Sequence, residues 1–246
     1  QKRLAHGKSL RKRTPREAHA DFSPAKHRDP LAILTAGDAT RIPELVPERY
    51  ARMSVDAFAF LRGAAAVMAA DLAGAPVAGA QVQACGDSHL MNFGAFATPE
   101  NHIAFDVNDF DETLAGVDFT VDVKRLAASV AVAMMDGGAS KKRARQVVAA
   151  TVSAYRERMW KLVLLSPLEI WRARVDLEAE ANALSNRALR AELRDIISKA
   201  RGSLGRDDNF PRLVKGPELR IVDKPPTIFH FDDALDVRRS IVATHV

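Results

Sequence analysis

Apolar positions in residues 47–73 recur at helical spacing: Met53, Ala57, Phe60, Leu61, Ala64, Val67, Met68 and Leu72 stand three or four apart on one stripe. The spacing predicts one long helix, ended by Gly74 and Pro76. The period then shortens. Val77–Cys85 alternates weakly and reads as a strand, His102–Val107 as a second, with Ala97–Asn101 as the turn between them. Helical spacing returns over Val121–Met135, Lys141 to about Leu165, Pro167–Leu184 and Asn186–Ala200. Gly137-Gly138 separates the first two of these helices, and Ser166-Pro167 opens the third. From Gly202 the pattern loosens, and Leu219–Asp223 reads as a short strand stopped by Pro225-Pro226. Upstream, Pro15, Pro24 and Pro30 among charged residues predict an extended basic leader over residues 1–30, set off from one domain over 31–246. The fold class is α+β, predominantly helical, with a small β element between the helices.

Charge changes this picture only at the start of the chain. Lys2, Arg3, Lys8, Arg11, Lys12, Arg13 and Arg16 precede the first acid, Glu17. Removing those seven charges from the formal +5 leaves −2, so the domain itself has no basic face for nucleic acid. A nucleic-acid partner is not expected, apart from a phosphate contact by the basic tail; a solvated leader is preferred. With 246 residues, 47% of them hydrophobic, the chain can bury a sizeable core. A single cysteine, Cys85, excludes an internal disulfide and supplies no zinc framework. No apolar run has the length of a membrane span and no signal peptide is visible, so a cytoplasmic protein without a membrane partner is expected.

The candidate chemistry sits in the loops that leave the two predicted strands. CGDSHLMNFG, Cys85–Gly94, places Asn92 five residues after Asp87, and AFDVNDFDE, Ala104–Glu112, is dense in carboxylates. Asp87, Asn92 and Asp106 would supply hard oxygen ligands and one free carboxylate. Oxygen ligands suit Mg²⁺, which keeps several waters and takes phosphate oxygens. Phosphoryl transfer uses such a set, with one Asp orienting the attacking hydroxyl, and the kinase catalytic loop spaces that Asp and a metal-binding Asn five residues apart. Plainer roles stand beside these. Asp87 could cap the turn that follows it, and Asn92 could brace the loop. His89 reads as a hydrogen-bonded loop histidine. Asp106, between Phe105 and Val107, needs a partner or a metal if the strand is buried. Asp109 is an additional candidate for metal or substrate contact. Lys124 and Arg125 are expected to pair with Asp109, Asp111 or Asp122, and Arg41 and Arg62 to make ordinary ion pairs.

GDSHLMNFG (86–94), FDVNDFDETLAG (105–116) and DVKRLAASVAVA (122–133) together resemble the bacterial family catalogued as domain of unknown function 2252. GKSLRKRTPREAH, DATRIPELVPERYARM and FAFLRGAAAVMAADLA resemble it upstream, so the likeness spans roughly residues 7–240. The resemblance implies a protein-kinase-like helical lobe related to the aminoglycoside phosphotransferases, with the small β element carrying the catalytic loops. It makes Asp87 the catalytic base, Asn92 and Asp106 the metal ligands, and His89 a brace. Asp122 becomes the residue anchoring the next helix near the loop. Mg²⁺ and ATP are the implied cofactors, and a small-molecule or protein hydroxyl the acceptor. No glycine-rich strand-turn precedes Asp87. In the family that segment and its Lys-bearing strand come later, an order permuted relative to ordinary kinases, so the chain is expected to be truncated on its C-terminal side and to lack the phosphate-binding lobe. Two other functions compete. One is a catalytically inactive kinase-like binding protein or scaffold. The other is a metal-dependent phosphoesterase, since Gly-Asp-x-His also occurs in two-metal enzymes; it needs further ligands downstream, where the only histidines are His102, His230 and His245.

Overall fold

The computed structural model describes residues 2–24, 26–98, 102–202, 214–215 and 220–221. These fall into two compact units, Gln1–Gly94 with Phe105–Val175, and Ala95–Ala104 with Asp176–Val246. The first unit opens with a helix, α1 (Lys2–Arg13), where an extended leader was expected. Leu, Ala, Lys and Arg are good helix formers, and the prolines that suggested extension lie outside the element. Pro15 follows its end. Pro30 is the first residue of α2 (Pro30–Asp38), where its missing N–H costs nothing, and Asp29 caps that helix by accepting from the Ala32 N–H at 3.0 Å.

The long helix expected over 47–73 is three helices: α3 (Val46–Met53), α4 (Ala57–Gly63) and α5 (Ala65–Leu72). Asp56 restarts the chain after Ser54-Val55, its carboxylate accepting from the Ala59 N–H at 2.6 Å. The second interruption follows Gly63. A Cβ there would stand 2.5 Å from the Met53 sulfur, so glycine lets the Met53 side chain pack directly against this backbone. Arg49 Nη2 donates to the Gly63 carbonyl at 2.7 Å. The stripe still works as read, because Leu34, Met53, Ala64 and Val67 bury together, with Ile33 and Tyr50 against them.

The β elements pair differently from expectation. β1 (Gln81–Ala84) lies antiparallel to β4 (Leu114–Asp118), in register Gln81↔Asp118, Val82↔Val117, Gln83↔Ala115 and Ala84↔Leu114. Gly116, at φ +77°, is the extra residue of a bulge in this ladder. β3 (Ile103–Val107) neighbours β2 (Phe93–Ala97) on one side and the two-residue β5 (Val175–Asp176) on the other. The turn expected over 97–101 therefore joins β2 to β3, not β1 to β3; Pro99, Glu100 and Asn101 lie outside the described residues.

α6 (Thr120–Asp136) and α7 (Lys141–Val163) pack along each other, as their periodicity predicts. α8 (Pro167–Arg172) starts with a capping box in which the Ser166 hydroxyl accepts from the Glu169 N–H and the Glu169 carboxylate accepts from the Ser166 N–H. The single helix expected over 167–184 is broken after α8. Asp176 caps a new helix, α9 (Leu177–Ala183), by accepting from the Glu178 and Ala179 N–H groups. α9 and α10 (Arg187–Gly202) belong to the second unit, whose core is Ile103, Leu177, Ala181, Ile197 and Ala200, with Ala95, Ala97 and Leu193 packed on it. β6 (Val214–Lys215) pairs antiparallel with β7 (Arg220–Ile221), inside the strand expected at 219–223; Leu219, Val222 and Asp223 lie outside the described residues. Among the described residues no helix is long and apolar enough to cross a membrane.

Candidate functional site

One face of α6 holds the loop between β1 and β2. Asp122, Arg125 and Ser129 are spaced i, i+3, i+7, which brings them to the same side of the helix. The two carboxylate oxygens of Asp122 accept from the N–H groups of Cys85 (2.8 Å) and Gly86 (3.0 Å), and the Ser88 hydroxyl donates to the Asp122 carbonyl at 2.7 Å. The Leu90 N–H donates to the Ser129 hydroxyl at 3.1 Å, and that hydroxyl donates onward to the Leu126 carbonyl. Asp122 thus ties helix to loop.

Arg125 is 2% exposed. Its Nε and Nη2 donate to the same oxygen of Asp87, Oδ1, at 2.8 and 2.5 Å, and Nη2 also donates to the Leu61 carbonyl at 2.6 Å. The expected pairing of Arg125 with Asp109, Asp111 or Asp122 is therefore corrected to Asp87. Lys124 instead reaches the Pro76 carbonyl at 3.4 Å, and burial lowers its ammonium below the usual lysine range while Asp118 partly restores it. The second oxygen of Asp87, Oδ2, lies 3.4 Å from His89 Nε2. Asn92 Nδ2 donates to the Asp87 carbonyl at 2.9 Å, so the five-residue step closes the loop on itself. Asp87, Ser88, His89 and Asn92 are all buried. Gly86 makes the turn at φ +84°.

Asp106 does not join this buried group. It is exposed on β3, and its Oδ1 accepts from the N–H of the next residue, Val107, at 2.8 Å. The strand does not bury it, so the need for a partner or metal that its apolar neighbours suggested does not arise. Asp109 is exposed too. Its carbonyl, not its carboxylate, lies near Asn92 Nδ2 (3.5 Å) and the Cys85 thiol (3.7 Å), while its carboxylate accepts from the Asp111 N–H. Among the described residues no three His, Cys, Asp or Glu side chains converge as a metal centre. Hard oxygen donors remain within the loops. Fixing Nδ2 of Asn92 on two carbonyls turns its Oδ1 the other way, and the Asp106 carboxylate faces water. Each is a hard oxygen donor, the type that Mg²⁺ takes.

Electrostatics separate the neighbours of Asp87. Burial pushes the Cys85 thiol up, with Asp122, Asp87 and Glu112 adding to the effect, so it fills space as a protonated thiol. Lost hydration raises the Glu112 carboxyl above its ordinary range, with help from Asp87, Asp109 and Asp111. Burial lowers the His89 imidazole below its ordinary 6.5; Asp87 opposes the shift, and Arg125 and Arg62 add to it. Its Nδ1 is buried without a hydrogen-bond partner among the described residues. Unfolded, His89 takes up a proton below 6.5 that the folded site refuses, so the unfolded state binds more protons there. Its stabilisation is complete above that pH and is lost as the pH falls, by at most about 1.4 kcal/mol per pH unit. Urea midpoints should drop from about pH 7 to about pH 5.5, and His89→Gln should flatten that slope. Glu112 acts the other way, because its raised carboxyl loses stability as the pH rises above its ordinary 4.5, and Glu112→Gln should remove that part separately.

Arg125 and Ser129 were not anticipated as site residues. Their signal is a polar stripe, Asp122, Arg125, Ser129, running through an otherwise apolar helical text. Together these features define a mostly helical α+β chain whose glycine-aspartate loop is held by the polar face of one helix. The chain matches, over residues 41–245, the family described as "uncharacterized protein conserved in bacteria (DUF2252)", and it belongs to that family. No curated protein and no solved structure matches it.

Proposed function

We propose that the protein is a kinase-like phosphotransferase that uses Mg²⁺ and ATP to phosphorylate a hydroxyl group on a small molecule or protein. The observation that carries this proposal is the Asp87–Asn92 loop itself. The spacing between a candidate base and a candidate metal-binding amide is locked by the Asn92-to-Asp87 hydrogen bond and by the Asp122 anchor. Bound Mg²⁺ would neutralise charge on the phosphates. Asn92 and Asp106 are the residues that would hold it. Asp87 would orient the acceptor hydroxyl and take its proton on Oδ2, since Oδ1 is committed to Arg125. A buried loop with fixed donors and acceptors needs little reorganisation at the moment of reaction. The permuted, kinase-like arrangement and the cytoplasmic location belong to the same proposal.

One observation favours a non-catalytic binding protein instead: the double hydrogen bond from Arg125 to Asp87 is also what a purely structural ion pair would make. The phosphoesterase alternative is weaker, because a two-metal centre needs His89 as a ligand, and His89 is buried against Asp87.

Thermal unfolding with ATP, with Mg²⁺ and with both separates these readings. A ligand at one hundred times its dissociation constant stabilises by about 2.7 kcal/mol, which for a chain of this size raises Tm by roughly 5–10 °C. The expected result is a shift that requires both ligands and disappears in Asp106→Asn, a substitution at an exposed residue that leaves the fold intact. Absence of a shift at saturating ATP and Mg²⁺ would overturn the phosphotransferase and leave the binding protein.

A further inference from the structure

Both tryptophans of the chain lie at one corner of the first unit, where α7 ends and α8 begins. Trp160 is 58% exposed and Trp171 83%; between them in sequence, Val163 is 62%, Leu164 84% and Leu168 54% exposed. Trp160, Val163 and Leu164 follow helical spacing at the end of α7, and Leu168 and Trp171 do so on α8. Single exposed apolar residues are ordinary, but five within twelve residues, both tryptophans among them, mark a segment that meets something other than water. Side chains with four-fifths of their area in solvent stand proud of the surface and do not line a groove.

The rim is basic. Arg156, Arg158, Lys161, Arg172 and Arg174 flank or interleave these residues in sequence, all exposed, and among the described residues none of them is in an ion pair. Glu157 and Glu169 are the acids of this stretch. Glu157 accepts from the Ser153 hydroxyl, and Glu169 is committed to the capping box. A protein partner fitted to this corner would need to match five free cations around a convex apolar tip. A lipid surface supplies both requirements without shape matching: acyl chains for the leucines, the headgroup zone for the indoles, and anionic headgroups for the arginines. We propose that the α7–α8 corner docks the protein on an anionic lipid surface. It rests there without spanning, since no described helix is long and apolar enough to cross a membrane. The sequence led us to expect no membrane partner, and the proposal departs from that expectation without requiring a span. The proposal stands independently of the phosphotransferase.

With tryptophan only at 160 and 171, intrinsic fluorescence reports on this corner alone. The test titrates the full chain with vesicles of phosphatidylserine in phosphatidylcholine, and with phosphatidylcholine alone, at low and high salt. The expected result is a blue shift and co-sedimentation with the anionic vesicles that weaken as salt rises. Arg172→Gln should weaken binding about fivefold, the share of one surface cation. Leu164→Glu should abolish it with Tm unchanged, because that side chain touches little of the fold. Three results would overturn the proposal. Equal binding to both vesicle types would remove the charge argument. A blue shift that follows protein concentration without vesicles would assign the corner to a second copy of the chain. Emission already blue-shifted in dilute buffer and unmoved by vesicles would mean that polypeptide covers it.

Discussion

Replacing Arg125 by methionine should lower the free energy of unfolding by about 3–5 kcal/mol, the cost of leaving one partner of a buried ion pair behind. Asp87 is 7% exposed, and among the described residues both hydrogen bonds to its carboxylate come from Arg125. With Arg125 in place, burial lowers the His89 imidazole, so the guanidinium is the cation that balances Asp87. The same substitution strips a donor from the Leu61 carbonyl. The reverse change, Asp87→Asn, should cost less, since an amide oxygen still accepts from the guanidinium. Removing both charges, as Arg125→Met with Asp87→Leu, should recover part of the loss, because an apolar pair of similar volume leaves no charge buried. Urea midpoints at constant m-value check all three. A loss under about 1 kcal/mol for Arg125→Met, the range of exposed pairs, would show that the pair is hydrated in solution.

Gly86→Ala should be nearly as damaging, at about 3 kcal/mol. Two costs combine. At φ +84° an L-residue is strained by about 1–3 kcal/mol. The added Cβ would also collide with the Glu112 carbonyl, standing 2.9 Å from its carbon, and that neighbour is backbone, which cannot swing aside. Gly116→Ala is the matched control. It has φ +77° but nothing within 4 Å of its added Cβ, so it should cost only about 1 kcal/mol. The difference between the two substitutions isolates the contact between the loop and Glu112. Equal losses would show that conformation alone fixes glycine at position 86.

The long helices were legible because their apolar spacing is sustained: α6, α7 and α10 fall within a few residues of the periods that predict them. The loop was legible for a different reason. Asn92 closes on the Asp87 carbonyl five residues before it, so its position in the sequence already carries that geometry, whereas Asp122 reaches backbone distant in sequence and was read from the resemblance alone. Strand pairing was not legible. β2 and β4 are five residues each, contain glycine and small side chains, and owe their existence to partners distant in sequence. The breaks at 54–56 and 173–176 were hidden because the apolar stripe keeps its phase across the first, while the capping signal of Asp56 and Asp176 is a single residue in each case. The exposure of Asp106 was not legible because strand burial was inferred from its neighbours, and Phe105 beside it is itself exposed. Arg125 was misjudged because a cation in the first turns of a helix usually belongs to the surface; a wholly buried one can be recognised only once its carboxylate is in place.

The interruption between α4 and α5 also limits how far this chain can be treated as interchangeable parts. In an unbroken helix the Leu61 carbonyl would serve the N–H four residues on. Here it accepts from the Ala64 N–H and also receives Arg125, the residue that grips Asp87. A stretch of backbone outside the loop therefore acts as a socket for it. A chimera that exchanged residues 57–72 for a smoother helix of equal hydrophobicity would keep its core and lose the seat of its carboxylate.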